Sequence, residues 1–159
     1  MIHDEGEKLS LKFMIVTVSD TRTEETDISG KIMSEFISSS GREAHRSIIR
    51  NDPSMIEKLL SREHGHYDVF IFIGGTGLGK HDITSRTIRK LGEREISGFG
   101  EQFRRAGLED NKYSILSDAS MFLYNGKMVF SLPGSEDAQR TAFQIINSIV
   151  DHAYHEINR

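Results

Sequence analysis

Apolar positions along this chain follow two patterns, which alternate from one end to the other. In the first, short runs rich in β-branched and aromatic residues are bounded by polar or glycine-containing stretches, which is typical of buried strands. Two such runs flank Asn125-Gly126, a dipeptide typical of a two-residue hairpin turn. The pattern predicts strands over Leu11–Val18, Ala44–Ile49, Tyr67–Ile73, Met121–Tyr124 and Lys127–Leu132.

In the second pattern, apolar side chains recur every three or four positions, as on one face of a helix. Asp52 before Pro53 is a helix start signal, because aspartate caps helices and proline suits the first helical position. The charged run Arg86–Glu95 is interpreted as an exposed helix face, with packing against another subunit as the alternative. Helices are predicted over Asp27–Ser40, from Pro53 to Gly65, over Asp82–Leu91 and Phe99–Ala106, and from Ser135 onward. The first of them is expected to turn Ile28, Ile32, Met33, Phe36 and Ile37 inward.

Alternating strands and helices predict an α/β fold, a three-layer sandwich. Its mostly parallel sheet carries an antiparallel edge hairpin and has helices on both faces. We expect a disordered segment over residues 1–10 and a single domain over 11–159, because no repeat or linker divides the chain. Ligands of such folds bind at the carboxyl ends of the strands. The polar loops expected to meet there are Ser19–Thr26, Asn51-Asp52, Gly74–Asp82 and Pro133–Ser135.

Composition narrows the classes of function. The 159 residues include no cysteine, which excludes disulfides and thiolate metal sites and fits a reducing cytoplasm. A net charge of −4 argues against a general nucleic-acid binder. The polar start is not typical of a signal peptide, and no apolar run is long enough to span a bilayer. We therefore expect a cytoplasmic protein with neither a nucleic-acid nor a membrane partner.

The most informative motif is the glycine-rich stretch Gly74–Gly79, which follows a predicted buried strand and precedes a predicted helix. This order directs backbone N–H groups at an anion, and glycine allows the backbone to approach that anion closely. The P-loop frame fails, because His81 stands where a hydroxyl must hold Mg²⁺. Asp82 offers instead a carboxylate ligand for Mg²⁺ beside a bound phosphate. The alternatives are a purely structural turn for the glycines and a helix N-cap for Asp82.

Four motifs follow one another within residues 11–150. They are Val18-Ser19-Asp20, Gly74-Gly75-Thr76-Gly77 with Asp82, Gly98-Phe99-Gly100-Glu101 with Phe103-Arg104, and Leu132-Pro133-Gly134-Ser135. In this order and combination the chain resembles the molybdenum-cofactor biosynthesis family. That family comprises molybdopterin-binding proteins and molybdopterin adenylyltransferases and is related to the amino-terminal domain of gephyrin.

The resemblance implies a reaction in which the terminal phosphate of molybdopterin attacks the α-phosphate of ATP, giving adenylylated molybdopterin and pyrophosphate. It implies Mg²⁺ as cofactor, ATP as co-substrate, molybdopterin as substrate, and a homo-oligomer, either a trimer or a hexamer. Asp82 and Asp52 are the implied catalytic residues, and Asp82 is also the implied metal ligand. The implied binding residues are Ser19, Asp20, Gly74, Gly75, Thr76, Gly77, Gly98, Phe99, Gly100, Glu101, Ser117, Pro133, Gly134 and Ser135.

Two positions depart from the family pattern. Asn51 stands where members commonly have an aspartate, and Asp118 stands where members often have the arginine of Ser-Arg-Ala. Both departures favour an alternative function, that of a relative which binds molybdopterin without transferring the nucleotide. Two local alternatives also stay open. Ser135 suits a helix cap as well as a ligand contact, and Gly98-Phe99-Gly100 suits a turn around a buried aromatic ring.

Overall fold

The computed structural model describes residues 8–159, and in them it contains six strands, five α-helices and one 3₁₀ helix. The strands are β1 (Lys12–Val18), β2 (Glu43–Ile49), β3 (Val69–Ile73), β4 (Arg94–Glu95), β5 (Ser120–Tyr124) and β6 (Lys127–Leu132). The helices are α1 (Ile28–Ser39), α2 (Pro53–Glu63), α3 (Thr84–Leu91), α4 (Ser97–Gly107) and α5 (Glu136–Asn158), and the 3₁₀ helix is Lys112–Leu116. The strand order in the sheet is β2-β1-β3-β6-β5-β4, and β5 is antiparallel to both of its neighbours.

Two apolar cores lie on opposite faces of the sheet. One core contains buried side chains of α1, α4 and α5, and the other contains buried side chains of α2 and α3. Successive side chains of a strand point to opposite faces, so a strand covered on both faces is apolar throughout. Strand β3 shows this, because Ile71 belongs to the first core and Phe72 to the second. The predicted three-layer sandwich is confirmed.

The β4 edge of the sheet differs from the prediction for Arg86–Glu95. Helix α3 ends at Leu91, and Arg94 and Glu95 form the short strand β4, which pairs with β5. Gly92 terminates the helix, since its N–H donates to the Ile88 carbonyl at 2.7 Å while its own backbone is extended. The predicted helix end at Leu91 is confirmed, and the interpretation of the charged run as one helix face was wrong for the residues that follow it. A strand of two residues is too short to show a periodicity of its own.

Helix α1 confirms its predicted range but not its whole predicted face. Asp27 caps it, and its side chain accepts a hydrogen bond from the Gly30 N–H. Met33 and Ile37 are buried, as expected. The side chain of Ile28 is 52% exposed, because it belongs to the first helical turn and lies beyond the core at the carboxyl end of the sheet.

The segment before β1 lies against the last helix. The Leu9 N–H donates to the Asp151 carboxylate at 3.1 Å, and Leu9 packs against the first core. Residues 1–7 of the segment expected to be disordered lie outside the described part of the chain. Among residues 8–159, no helix combines the length and the apolar character needed to cross a bilayer.

The sheet brings the predicted functional loops together at the carboxyl ends of its parallel strands. Strands β1, β2, β3 and β6 are parallel, so their carboxyl ends coincide. The Ser19 N–H donates to the Ile49 carbonyl at 2.9 Å, which joins the end of β1 to the end of β2. The Gly74 N–H donates to the Leu132 carbonyl at the same distance and joins the end of β3 to the end of β6. The loops that follow these strands are therefore neighbours.

Candidate functional site

The glycine loop, Gly74–Asp82, requires glycine at its first two positions. Gly74 and Gly75 have φ values of +102° and +71°, a region that residues with a Cβ rarely adopt. A Cβ on Gly74 would lie 2.9 Å from the Val18 carbonyl oxygen, and one on Gly75 would overlap the Thr84 hydroxyl. Within residues 8–159, the N–H groups of Gly75, Thr76 and Gly77 have no acceptor. The loop therefore presents three free donors beside its tight turn.

Asp82 places its carboxylate inside the glycine loop. Its Oδ2 accepts a hydrogen bond from the Gly79 N–H at 2.9 Å, and a Cβ on Gly77 would lie 2.8 Å from the same oxygen. Helix α3 begins at Thr84 without a side-chain cap, so the alternative that Asp82 is merely an N-cap was wrong. The Oδ1 of Asp82 has no partner in the described part of the chain and stays available to a ligand.

Arg86, in the first turn of α3, holds the far end of the glycine loop. Its guanidinium donates to the carbonyl of Asp82 at 2.7 Å and to the carbonyl of Lys80 at 3.1 Å. Asn51 ties the same segment to the end of β2, since its amide donates to the His81 carbonyl at 2.8 Å. The glycine loop is thus held from two directions by side chains that donate to its carbonyl groups.

The Pro-Gly-Ser loop, Pro133–Ser135, joins β6 to α5. Ser135 is the N-cap of α5, because its hydroxyl accepts a hydrogen bond from the Ala138 N–H at 3.2 Å. The cap role predicted for Ser135 is confirmed, and this role leaves the backbone N–H of Ser135 free. Within residues 8–159, the N–H groups of Gly134 and Ser135 contact no acceptor. A Cβ on Gly134 would meet nothing within 4 Å, so the space beside this loop is open.

The two loops line one cavity of about 730 Å³. The end of α4, the 3₁₀ helix and the start of α5 complete its lining. Its acidic residues are Asp82, Asp110 and Asp137, and none of the described residues that line it is a lysine or an arginine. Leu78 and Tyr113 add apolar surface, and both side chains are exposed. The cavity is therefore partly apolar and carries negative charge, although residues with free N–H donors line it.

Ser117, a predicted binding residue, lines this main cavity, and its ligand contact stays a prediction. Its hydroxyl oxygen is buried and has no hydrogen-bond partner. The backbone around it is held firmly, because Arg104 donates to the Ser117 carbonyl at 3.2 Å and the Asp118 N–H donates to the Thr76 carbonyl at 3.3 Å. A buried hydroxyl without a partner is uncommon in folded proteins, and a ligand group in the cavity could supply the missing partner.

Asp118 does not add its charge to the main cavity. Its two carboxylate oxygens accept hydrogen bonds from Arg89 at 2.9 and 3.2 Å, a bidentate arrangement. The hydrogen bonds from Arg89 to Asp118 and Glu95 raise the pKa of the Arg89 guanidinium. Asp118, which departs from the family pattern, is therefore paired with the positive charge of Arg89.

Ser19 and Asp20 lie at the end of β1, on the other side of the Pro-Gly-Ser loop. The Ser19 hydroxyl accepts hydrogen bonds from the N–H groups that follow it, and it lines a second cavity of about 370 Å³. The Asp20 carboxylate accepts from the Asn51 N–H at 3.1 Å and thereby joins two loops. Gly134 and Ser135 line both cavities, so the Pro-Gly-Ser loop forms the ridge between them.

Asp52 caps helix α2, as predicted. Its carboxylate accepts from the Ser54 N–H at 2.9 Å, and this hydrogen bond is the main reason that the pKa of Asp52 is lowered. The side chain is exposed and does not line the main cavity. Its catalytic role stays a prediction.

The Gly98–Glu101 motif lies in the first turns of α4, so the alternative for Gly98-Phe99-Gly100 was wrong about the turn, while its buried aromatic ring is confirmed. Phe99 is buried in the first core, and Gly100 allows the helix to approach the Ala119 carbonyl closely. Glu101 is exposed, and none of the four motif residues lines the main cavity. From the same helix, Phe103 does line it. The ligand contacts implied for the four motif residues stay predictions.

Several residues at the site were not predicted from the sequence. Asp110 and Tyr113 belong to an irregular segment that joins α4 to β5, where no periodicity predicts which side chains face inward. Asp137 and Gln139 follow Ser135 on α5, and the expected helix start at Ser135 could have drawn attention to them. Ser29 contacts Gly134 across 105 residues of sequence, a contact that no local pattern reveals.

Together, the sheet, the two loops with free N–H groups and the cavity between them define an α/β sandwich protein with an anion-receptive site at its strand ends. Comparison with known proteins makes this class specific. Residues 14–152 match the family described as a probable molybdopterin binding domain. The chain belongs to this family of molybdenum cofactor biosynthesis proteins.

Relatives with similar sequences support the assignment. The chain is 36% identical to molybdenum cofactor biosynthesis protein B of Bacillus cereus, over 99% of this chain and 96% of that protein. It is 32% identical to the probable molybdopterin adenylyltransferase of Methanocaldococcus jannaschii, over 90% of this chain and 91% of that protein. The crystal structure of the tungsten cofactor synthesizing protein MoaB from Pyrococcus furiosus is similar with a TM-score of 0.85 at 32% identity, over 96% of this chain and all 100% of that one.

Proposed function

We propose that this protein adenylylates molybdopterin with Mg-ATP during molybdenum cofactor biosynthesis. In this reaction an oxygen of the terminal phosphate of molybdopterin attacks the α-phosphorus of ATP, the bond to the β-phosphate breaks, and pyrophosphate leaves. Reactions of this kind ask a protein mainly to position two phosphates and to stabilise charge. The observation that carries the proposal is one cavity, in which a carboxylate with a free oxygen meets two separate groups of free N–H donors.

The two groups of donors suit the two phosphates. The N–H groups of Gly75, Thr76 and Gly77 are proposed to hold nucleotide phosphate oxygens. Those of Gly134 and Ser135, at the start of the 23-residue helix α5, are proposed to hold the terminal phosphate of molybdopterin. A hydrogen bond from a backbone N–H to a charged oxygen contributes about 1.5–3 kcal/mol. Both groups are therefore strong enough to orient their ligands.

The donor set near Asp82 fits a magnesium ion. Within residues 8–159, no cluster of three or more histidine, aspartate or glutamate side chains is arranged to hold a metal by itself. Mg²⁺ is usually held by one or two carboxylates together with substrate phosphates and water, so the single free oxygen of Asp82 is a sufficient protein ligand. When bound, Mg²⁺ neutralises charge between the two phosphates. This neutralisation matters here, because three aspartates and no described cation line the cavity.

A second carboxylate, that of Asp52, is proposed to act near the glycine loop. Its neighbour Asn51 contacts His81 of that loop, so the end of β2 reaches the site. The exposed carboxylate of Asp52 is proposed to assist turnover without being a main ligand, since it also caps α2. We also propose that the protein is a homo-oligomer, either a trimer or a hexamer. Analytical ultracentrifugation would measure the mass of the assembly.

A specific observation favours a second candidate, a binding protein that does not transfer the nucleotide. The Asn51 side chain donates to the His81 carbonyl at 2.8 Å and so acts as a structural tie. A neutral amide used in this way supplies no charge for a metal ion. This candidate predicts that molybdopterin binds but that no adenylylated product forms.

The deciding experiment is an anaerobic assay of the purified protein with molybdopterin, ATP and Mg²⁺, in which adenylylated molybdopterin is measured directly. We expect product that requires Mg²⁺ and a loss of about 10²-fold or more in turnover for Asp82→Asn. The asparagine can still accept from the Gly79 N–H, so the loop should persist. Asp110→Asn is the matched control, because it removes the same charge from the same cavity and should cost far less. Binding of molybdopterin without product would reject the transfer in favour of the binding protein.

A further inference from the structure

Gln139 is buried directly behind the Pro-Gly-Ser loop. Its side chain is 0% exposed, and its amide Nε2 donates to the Pro133 carbonyl at 2.7 Å and to the Ser135 carbonyl at 2.9 Å. The two carbonyl groups determine the orientation of the amide, because only the NH₂ end can donate to both. The Oε1 at the other end is buried and has no partner.

Ser29 holds the remaining carbonyl of the loop from the opposite side. Its hydroxyl, in the first turn of α1, donates to the Gly134 carbonyl at 2.6 Å. All three carbonyl groups of Pro133–Ser135 therefore accept a hydrogen bond from a neutral side chain. Both donors are uncharged, so neither of them draws an anionic ligand away from the N–H groups of the loop.

The direction of these carbonyl groups determines the direction of the N–H groups. In a trans peptide the C=O and the following N–H point in opposite directions, and the described residues contain no cis peptide. Because Gln139 holds the Pro133 carbonyl, the Gly134 N–H points away from Gln139. Because Ser29 holds the Gly134 carbonyl, the Ser135 N–H points away from Ser29. These are the N–H groups that have no acceptor among residues 8–159.

We propose that Gln139 and Ser29 are positioning residues for the phosphate of the pterin substrate. They hold the carbonyl groups of the Pro-Gly-Ser loop away from the ligand, so that the free N–H groups of Gly134 and Ser135 are oriented before a phosphate arrives. The inference rests on the proposed function, because it takes the ligand of this loop to be the terminal phosphate of molybdopterin.

The energetics of Gln139 agree with this role. A buried acceptor without a partner is unfavourable by about 1–3 kcal/mol, so glutamine is not the most stable choice for a position with no exposure. What the glutamine supplies, and an apolar side chain would not, is the donor to the Pro133 carbonyl. Pre-oriented donors lower the cost of ordering the site when a ligand binds.

The test compares Ser29→Ala with Ser29→Thr, since threonine keeps the hydroxyl. Gln139→Met is the second variant, and Ser38→Ala, which alters an exposed serine on the same helix, is the control. For each protein, the dissociation constants of molybdopterin and of Mg-ATP are measured separately under anaerobic conditions. The melting temperature, kcat and both KM values are measured alongside.

We expect Ser29→Ala to weaken molybdopterin binding about three- to tenfold, with the Mg-ATP dissociation constant within about twofold of wild type. Ser29→Thr should restore molybdopterin binding, and Gln139→Met should weaken it further than Ser29→Ala. The proposal is overturned if Ser29→Ala and Gln139→Met both bind molybdopterin as wild type does. It is equally overturned if they weaken both ligands alike while the melting temperature falls, since that would indicate a general structural role.

Failure of the proposed function would look different. If wild type binds molybdopterin without forming product, the transfer reaction fails, while the binding comparison among variants still decides the positioning role. If wild type does not bind molybdopterin, the same variants are compared with inorganic pyrophosphate as the probe. Weaker pyrophosphate binding by Ser29→Ala, restored by Ser29→Thr, would then support the orientation of the N–H groups alone. Equal pyrophosphate binding by all variants would reject it.

Discussion

The glycine loop and the Pro-Gly-Ser loop line the same cavity, yet they present their N–H groups by different means. The glycine loop is held mainly by charged groups. Asp82 lies inside it and occupies the Gly79 N–H, and Arg86 donates to three of its carbonyl groups, while the neutral Asn51 amide donates to a fourth. The Pro-Gly-Ser loop is held by the neutral side chains of Gln139 and Ser29. In both loops the donor from the following helix lies four residues beyond the last loop residue.

The two loops should therefore bind anions in different ways. The glycine loop already contains a carboxylate, so an anionic ligand can approach it closely only if a cation is present as well. Its geometry should therefore respond to metal and to ionic strength. The Pro-Gly-Ser loop itself contains no carboxylate, and the nearest one along the chain that lines the cavity is Asp137 of α5. The proposed function accordingly assigns the metal-bound phosphate to the glycine loop and the other phosphate to the Pro-Gly-Ser loop.

The largest effect is expected from Gly75→Ala, which would break the glycine loop itself. Gly75 has a φ of +71°, and a Cβ there would overlap the buried Thr84 hydroxyl. We expect a loss of about 2 kcal/mol or more in the free energy of unfolding, measured by urea denaturation, together with weaker Mg-ATP binding. Unchanged stability would mean that the loop is more adaptable than its geometry indicates.

Gly134→Ala should affect binding while leaving the fold intact. A Cβ on Gly134 would meet nothing within 4 Å, and its φ is not positive. We expect the free energy of unfolding to stay within about 0.5 kcal/mol of wild type, because no contact is lost or strained. Molybdopterin binding should weaken by about tenfold, since the added methyl group would occupy space beside the free N–H groups. Titration with molybdopterin checks this, and a large loss of stability would contradict it.

The smallest effect on stability is expected from Asp52→Asn, outside both loops. Asparagine caps helices about as well as aspartate, so stability near neutral pH should be unchanged. The hydrogen bond from the Ser54 N–H lowers the pKa of Asp52 below its ordinary value of 3.8. Its carboxylate therefore stabilises the fold above that value and loses this contribution as the pH falls through the lowered pKa.

Urea denaturation of both proteins between pH 6 and pH 3 would measure this contribution. Wild type should lose slightly more stability than Asp52→Asn, and only below about pH 4. A difference near neutral pH would mean that the carboxylate makes a contact beyond its cap. Such a result would indicate that the Asp52 carboxylate contacts the glycine loop, although its side chain is exposed.

Local signals predicted the framework of the site well. Asp52-Pro53 predicted the start of α2, and Asn125-Gly126 predicted the turn between β5 and β6, because both depend on the conformation of a few adjacent residues. The glycine loop was recognised for the same reason, since Gly74 and Gly75 adopt backbone conformations that other residues avoid.

What the sequence did not reveal depends on contacts between distant segments. Ser29 reaches Gly134 only because α1 and α5 pack on the same face of the sheet. Asp118 stands where relatives often have an arginine, and its pairing with Arg89 of α3 could not be seen from the sequence. The position of the Asp82 carboxylate, inside the loop and not at a helix cap, likewise follows from how the loop closes on itself.

The ridge formed by Gly134 and Ser135 has a consequence for the order of events at the site. One set of N–H groups can satisfy the oxygens of only one ligand at a time. Two separate molecules that both need these groups, one from each cavity, are therefore mutually exclusive. A single molecule long enough to cross the ridge would occupy both cavities at once. Such a molecule would link the occupancy of the two cavities thermodynamically.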